Sequence, residues 1–309
     1  MIYLVTGGAG FIGSHIVEEI VRNGGKVIIL DDFSKGTIEN LKGVIKRVKI
    51  IKGSITNKNA IKEAMKNIDY IIHLAAVSSA PDASKNPERT YKINVEGTRN
   101  ILEAVPYKGI RRFIFISSAS VYKENKNKVY KEEDKKEPKT IYGKSKLKAE
   151  EICLNYASKK RISLIILRYF NVFGPRDIKK SGRIIPSWLD NIKKGKEIEI
   201  YGDGKQTRDF IYIKDIVEAT LLSCKKEGIN KEILNIGTGK PYSILELKMK
   251  IEEIMGYKLK VRSKKKRRND IKHLIADISK AESILGFKPK TSLSNGLRET
   301  IAKELGILQ

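Results

Sequence analysis

The stretch Ile2-Tyr3-Leu4-Val5-Thr6-Gly7-Gly8-Ala9-Gly10-Phe11-Ile12-Gly13 decides how the chain is read. An apolar run ending in Thr6 predicts a strand, and helical apolar spacing then follows over Ile12–Asn23. Between them, Gly8, Gly10 and Gly13 satisfy G-x-G-x-x-G, and Gly7, Gly10 and Gly13 satisfy the wider T-G-x-x-G-x-x-G. Glycines here permit a tight turn, close approach of backbone to a pyrophosphate, and close packing of helix on strand. The helix N-terminus offers unpaired amides and the positive end of its dipole to the phosphates. The pattern therefore points to a bound dinucleotide, with a purely structural turn as the alternative. A second run, Lys26–Asp31, ends in Asp31-Asp32-Phe33. A carboxylate there accepts from the adenosine ribose 2′-hydroxyl and repels the 2′-phosphate of NADP, so NAD is the expected cofactor. The alternative for Asp31 is a solvated loop acid, and nearby Lys35 pulls the other way.

Outward from this stretch, short β-branched runs alternate with helical periods. Strands are predicted at Val48–Lys52, Tyr70–Ala75, Arg112–Ser117 and Ser163–Tyr169, with helices at Asn59–Met65, Pro87–Ala104 and Lys144–Lys159. Several strands are continuous apolar runs, as expected when both faces are buried. The expected fold is α/β: a Rossmann-like, doubly wound parallel sheet of six or more strands, followed by a smaller mixed domain. Residues 1–170 form the first unit and 171–309 the second, with a return to the sheet expected around 205–235. In the second part, helices are predicted at Ile185–Lys194, Ile216–Lys225 and Ile244–Met255, with strands at Phe210–Ile213 and Lys258–Arg262.

A second constellation lies at the end of the Arg112–Ser117 strand, where Ser117-Ser118-Ala119-Ser120-Val121-Tyr122 follows. Tyr142-Gly143-Lys144-Ser145-Lys146 opens the next helix, and the i, i+4 spacing sets Tyr142 and Lys146 on one face. An ammonium beside a phenol lowers the phenol's pKa and makes a usable base near neutrality. Ser118, Tyr142 and Lys146 are the candidate catalytic residues.

Composition excludes other classes. The 309 residues suit about two domains of ~150. With 40% hydrophobic and 32% charged residues the chain is globular in composition. No apolar run approaches the ~18–20 residues of a membrane span. The first strand starts at Ile2, and Cys153 and Cys224 cannot make a disulfide framework, so a reduced cytoplasm is expected. The net charge of +26 attracts polyanions, but the basic residues are dispersed apart from Lys264–Arg268, and no nucleic-acid motif accompanies them. Nucleic acid is the disfavoured partner. His15, His73 and His273 lack partners at metal-ligand spacing, and no metal is expected.

These motifs resemble the extended short-chain dehydrogenase/reductases, in the NAD-dependent epimerase/dehydratase branch, over nearly the whole chain. Within the branch the sequence is most similar to UDP-glucose and UDP-N-acetylglucosamine 4-epimerases. His73-Leu74-Ala75-Ala76, Asn94 in Ile93-Asn94-Val95-Glu96-Gly97-Thr98, and Arg168-Tyr169-Phe170-Asn171-Val172-Phe173-Gly174-Pro175 carry the resemblance. So do Ile200-Tyr201-Gly202-Asp203-Gly204, Gln206-Thr207-Arg208-Asp209 and Arg267-Arg268-Asn269-Asp270. The cofactor residues it implies are Gly7, Gly10, Phe11, Ile12, Gly13, Asp31, Asp32, Ser54, Ile55, Leu74, Ala75, Ala76, Asn94, Tyr142, Lys146 and Tyr169. The implied substrate residues are Ser118, Asn171, Ile185, Tyr201, Arg208, Arg267 and Asp270. Tyr201 would pack on the uracil, and Arg208 and Arg267 would pair with the diphosphate.

Three positions depart from the pattern: Ser54 stands where Asp is common, and Lys123 and Asn269 stand for glycines. Ala119-Ser120 separates the branches. Dehydratases carry Asp-Glu there and decarboxylases a Glu at the second position; neither carboxylate is present. The resemblance thus implies reversible oxidation at C4 of a UDP-hexose through a 4-keto sugar, and a homodimer through paired long helices. Packing of those helices within the chain is the alternative. Leu274 and the Val77–Ala80 loop are expected to set which hexose fits. The rival functions are another nucleotide-sugar dehydratase or decarboxylase and a non-catalytic NAD-sensing regulator.

Overall fold

The structure, a computed structural model, describes residues 1–106, 109–125, 128–266 and 271–307. The chain opens with β1 (Ile2–Thr6), α1 (Phe11–Arg22), β2 (Lys26–Asp31), β3 (Val48–Lys52), α2 (Lys58–Ala64) and β4 (Tyr70–His73). Next come α3 (Ala80–Lys85), α4 (Pro87–Tyr91), a π-helical turn at Lys92–Gly97, α5 (Thr98–Ala104) and β5 (Arg112–Ser118). Then follow β6 (Val129–Tyr130), α6 (Ile141–Lys160), β7 (Leu164–Tyr169), β8 (Asn171–Phe173), α7 (Ile184–Lys193) and β9 (Ile198–Tyr201). The remainder is β10 (Thr207–Arg208), β11 (Phe210–Tyr212), α8 (Ile213–Lys225), β12 (Glu232–Ile236), β13 (Tyr242–Ser243), α9 (Ile244–Met255), β14 (Val261–Lys264), β15 (His273–Ala276), α10 (Ser279–Leu285) and α11 (Leu293–Leu305).

Seven strands form one sheet in the order β12-β7-β5-β4-β1-β2-β3, and each neighbouring pair is parallel. Strand order reverses between β1 and β4. The crevice outside their carboxyl ends is where open α/β sheets bind ligands. Smaller sheets join β13-β10-β15-β6, β11 with β8, and β14 with β9. One apolar cluster runs from Val5 and Ile16 beside the large sheet to Trp188 and Leu247 in the later part of the chain.

Two buried cations fix the frame. The Arg112 guanidinium donates to the carbonyls of Ser223, Lys226 and Ile229 at 2.7, 2.6 and 3.0 Å, closing the C-terminal end of α8. Arg168, on β7, makes two hydrogen bonds to the Glu150 carboxylate on α6 at 2.7 and 3.0 Å, and both side chains are buried. Ser117 donates to the same carboxylate, and Arg168 also donates to Tyr122 Oη and the Glu132 carbonyl. These bonds join β5, α6 and β7 beneath Ser118. Because removal of either charge strands the other in the core, this pair holds the geometry firmly.

Most predicted elements are present, several with shifted ends, while β12, α10 and α11 have no predicted counterpart. The predicted strand Tyr70–Ala75 ends at His73, and the one placed at Lys258–Arg262 runs over Val261–Lys264, where β9 supplies its partner. The Pro87–Ala104 helix is interrupted by the π turn, whose i→i+5 bonding has no distinct residue signature in the sequence.

Candidate active site

A cavity of about 580 Å³ opens at the switch between β1 and β4. Its lining includes Gly7, Gly10, Phe11, Ile12 and Gly13, then Asp31, Asp32, Ser54 and Ile55, then Leu74, Ala75 and Ala76. Across from these stand Ser118, Ser120, Tyr142, Lys146, Tyr169 and Asn171. A neighbouring cavity of about 330 Å³ is lined by Ile185, Trp188, Tyr201 and Arg208, and Asn171 and Arg183 border both. The sequence-predicted residues are thus brought to two adjoining spaces. Arg267 and Asp270 lie outside the described residues.

Backbone builds the first wall. A Cβ on Gly13 would stand 2.2 Å from the Gly7 carbonyl oxygen, so only glycine lets α1 approach β1 this closely. A Cβ on Gly10 would meet that oxygen at 3.3 Å and no other close atom, leaving it directed into open space along the cavity. Helix α1 has no side-chain cap and no acid in its first turn, so its amides remain for an anion. These features fit the pyrophosphate of a dinucleotide. Asp31 is buried, and its carboxylate accepts from Ala9 N at 2.9 Å and Phe33 N at 2.8 Å. Burial pushes its pKa up, against those two hydrogen bonds. Each oxygen keeps a second lone pair, so a ribose hydroxyl can still donate to it.

Side chains build the second wall. Thr140 caps α6 by accepting from Gly143 N, and a Cβ on Gly143 would come within 2.3 Å of the Ser120 carbonyl oxygen. That close approach brings Tyr142 to Ser118. Lys146, one turn on, is buried with its Nζ 4.2 Å from the centroid of the Phe115 ring. Burial lowers its ammonium pKa to about 8, against the pull of Cys153 and Glu150.

The expectation that Lys146 depresses the Tyr142 pKa requires correction. Burial raises the Tyr142 pKa; a hydrogen bond with Ser118 and the charge of Arg183 pull it down. Lys146 turns over Phe115 instead, and Arg183 is the cation that acts on the phenol. Arg183 escapes sequence reasoning, because its only local signal is its place between Gly182 and the apolar start of α7. Its guanidinium makes two hydrogen bonds to Asp177 at 2.6 and 2.7 Å and lies 5.3 Å from the Phe11 ring centroid.

Asn94, which the resemblance makes both a structural and a cofactor-side asparagine, shows the structural role. It is not among the residues lining either cavity; its amide is engaged by Val77 N, the Val77 carbonyl and Ser145 Oγ at 2.7, 3.2 and 2.9 Å. It anchors the Val77–Ala80 loop, which does line the larger cavity. Leu274 likewise is buried beside Val121 and Phe170 and lines neither cavity. Asp209, another residue that the sequence did not single out for a role, accepts from Thr238, Gly239 and Ala276 and so secures Arg208 next to it. His73 bridges Thr6 and Thr98 in the core, where burial holds its pKa at about 3. Among the described residues no group of three or more His, Cys, Asp or Glu could hold a metal ion, and no helix is long and apolar enough to cross a membrane.

A glycine-built dinucleotide crevice with serine, tyrosine and lysine converging beside it defines the short-chain dehydrogenase/reductase class. Residues 3–237 match the model of the NAD dependent epimerase/dehydratase family, and the chain belongs to that family, whose chemistry depends on NAD. It is 36% identical over 301 residues to the putative UDP-glucose 4-epimerase of Methanocaldococcus jannaschii, covering 96% of each chain. It is 35% identical over 311 residues to the UDP-N-acetyl-alpha-D-glucosaminuronate decarboxylase of Bacillus cytotoxicus, again covering 96% of each. The crystal structure of UDP-glucuronic acid 4-epimerase from Bacillus cereus, in complex with UDP-glucuronic acid and NAD, superposes with a TM-score of 0.93 at 32% identity, over 98% of this chain and 99% of that one.

Proposed function

We propose that this protein epimerises a UDP-hexose at C4 through a transient 4-keto sugar, with NAD retained between turnovers. One observation carries the reading. Ser118, Tyr142 and Lys146 converge on the larger cavity, while the positions after Ser118 hold buried Ala119 and cavity-lining Ser120 rather than carboxylates. The site can move a proton at one hydroxyl but lacks the acid and base that an elimination needs. NAD, held by the glycine turn, Asp31 and Lys146, would supply the hydride acceptor and donor for C4.

The protein's own groups do the rest. Tyr142 Oη takes the proton of the sugar 4-hydroxyl and later gives it back, its phenolate form opposed by burial and favoured by Ser118 and Arg183. Ser118 Oγ donates to the same oxygen and aligns it. Arg183 favours the phenolate, and Lys146, with its pKa of about 8, carries its charge at neutral pH to hold the cofactor ribose. In this reading the cofactor residues are the set given above without Asn94, which acts by fixing the Val77–Ala80 loop. Residues 1–170 hold NAD and 171–309 hold the UDP-sugar, with β12 lent back to the sheet. Asn171, Ile185, Tyr201 and Arg208 anchor the nucleotide while the keto sugar turns over, joined by Arg267 and Asp270. The same reading places the protein in the cytoplasm as a homodimer through α4–α5 and α6, which light scattering checks.

A specific feature favours a second substrate class. Arg183 is a cation at the junction of the two cavities, and two of its nitrogens are engaged by Asp177, leaving Nη1 to meet an anion. A carboxylate on the sugar suits it, which makes a UDP-hexuronate the alternative to a neutral hexose. The test supplies UDP-glucose, UDP-N-acetylglucosamine and UDP-glucuronate separately, without added NAD, and follows the anomeric protons by NMR. Galacto-configured product supports epimerisation, and the fastest substrate names the class. Carbon dioxide release, or no change even with NAD added, would overturn it.

A further inference from the structure

The larger cavity contains five described cationic side chains among its lining residues: Lys35, Arg89, Lys146, Arg176 and Arg183. Three of these are tied to carboxylates. Arg176 pairs with Glu18 at 2.7 Å, Arg183 with Asp177 at 2.6 Å, and Lys35 with Asp82 at 2.6 Å. The last pair differs from the others in where it stands. Lys35 follows β2 on the Asp31 side of the cavity, and Asp82 belongs to α3 on the side reached after β4. The ion pair therefore spans two lining segments 47 residues apart in sequence.

We propose that Asp82 is a cofactor-selectivity residue: by engaging Lys35 it withholds from a ribose 2′-phosphate the cation nearest in sequence to Asp31, and so keeps the site specific for NAD over NADP.

Three charged side chains on the β2 side set up this choice. Asp31 offers a buried carboxylate for a ribose hydroxyl. The Asp32 carboxylate is turned into its own loop, where one oxygen accepts from Ser34 N and Ser34 Oγ. Lys35 is the cation of this same loop, three residues beyond Asp32. A 2′-phosphate adds about 1.5 to 2 negative charges and calls for a cationic donor. Lys35 is the lining cation nearest in sequence to Asp31, and its long flexible stem would let it answer. Asp82 supplies a competing anion and also adds a further repulsive charge. Both members are partly exposed, with 43% and 28% of their side-chain surface accessible, so the pair is solvent-screened and its effect is graded rather than absolute. Specificity of this kind works by disfavouring the wrong ligand rather than by tightening the right one.

The inference rests on the dinucleotide occupying the larger cavity. Its test therefore reads binding and not turnover. Nucleotide-stripped wild type, Asp82→Asn and the double variant Asp82→Asn/Lys35→Met are titrated with NADH and NADPH, followed by nicotinamide fluorescence. Wild type should bind NADH and discriminate against NADPH. Asp82→Asn should shift the NADPH-to-NADH affinity ratio toward NADPH by about fivefold, as expected when one competing anion is taken from a lysine at a screened site. The double variant should lose that gain, because the effect acts through Lys35. An unchanged ratio in Asp82→Asn, with NADH still bound by the wild type, would overturn the inference alone. A gain that survives in the double variant would overturn it too, since simple charge removal would then suffice. Failure of the wild type to bind either nucleotide would overturn both the inference and the reading it rests on.

Discussion

The two walls of the larger cavity are made by different means. Along α1 and the ends of β1 and β4 the surface is mostly backbone: a glycine turn, an uncapped helix N-terminus and a short loop. Facing it, α6, β8 and the segment before α7 present side chains: Arg183 is paired with Asp177, Lys146 lies over Phe115, and the buried Arg168–Glu150 pair supports them from beneath Ser118. A backbone surface suits a ligand that is bound and kept, because its geometry does not depend on rotamers. A side-chain surface suits a proton that must move, because its pKa values are set by burial and neighbours. Under the proposed function, this division keeps NAD on one wall while a sugar is turned over on the other.

This contrast can be broken at several points. The largest effect is expected from Tyr142→Phe, which removes the group that takes the proton. The kcat should fall by about 10²–10⁴-fold, with NADH affinity and melting temperature close to wild type. A comparable loss of NADH binding would show that the walls do not divide the work. Arg168→Leu attacks the support rather than the chemistry. Stranding the Glu150 carboxylate in the core should cost about 3–5 kcal/mol in urea unfolding, while Arg168→Lys should recover part of it.

Gly13→Ala tests the backbone wall, since the added methyl would press on the Gly7 carbonyl. A loss of about 1–3 kcal/mol is expected, with weaker NADH binding out of proportion to any change in Tyr142 chemistry. His73 gives the smallest effect near neutral pH, because its contribution changes only in acid. Its folded pKa of about 3 lies below the ordinary 6.5, so the unfolded chain takes up the proton first. Its contribution is complete above pH 6.5 and is lost as pH falls toward 3, at about 1.4 kcal/mol per pH unit. His73→Asn should flatten the stability–pH curve in that window, and an unchanged slope would refute the assignment.

Legibility in the sequence follows the same division. The glycine loop, Asp31 and the buried parallel strands could be read because local spacing and continuous apolar runs encode them. The i, i+4 spacing of Tyr142 and Lys146 was equally plain, yet it did not reveal which cation faces the phenol. That depends on Phe115 receiving Lys146 and on Arg183 arriving from another segment. Long-range pairs such as Lys35 with Asp82, or Arg176 with Glu18, have no local signature because the fold alone brings them together. Asn94 shows the converse. Its motif was legible, but its hydrogen bonds go to Val77 and Ser145.

The central claim is reversible oxidation at C4 in one protected site, and an isotope placed at that carbon tests it most directly. UDP-hexose carrying deuterium at C4 is converted in ordinary water, and the product is analysed by NMR and mass spectrometry. The account predicts inversion at C4 with the deuterium still on that carbon. Inversion with loss of the label to solvent, or label retention with no inversion at all, would contradict it.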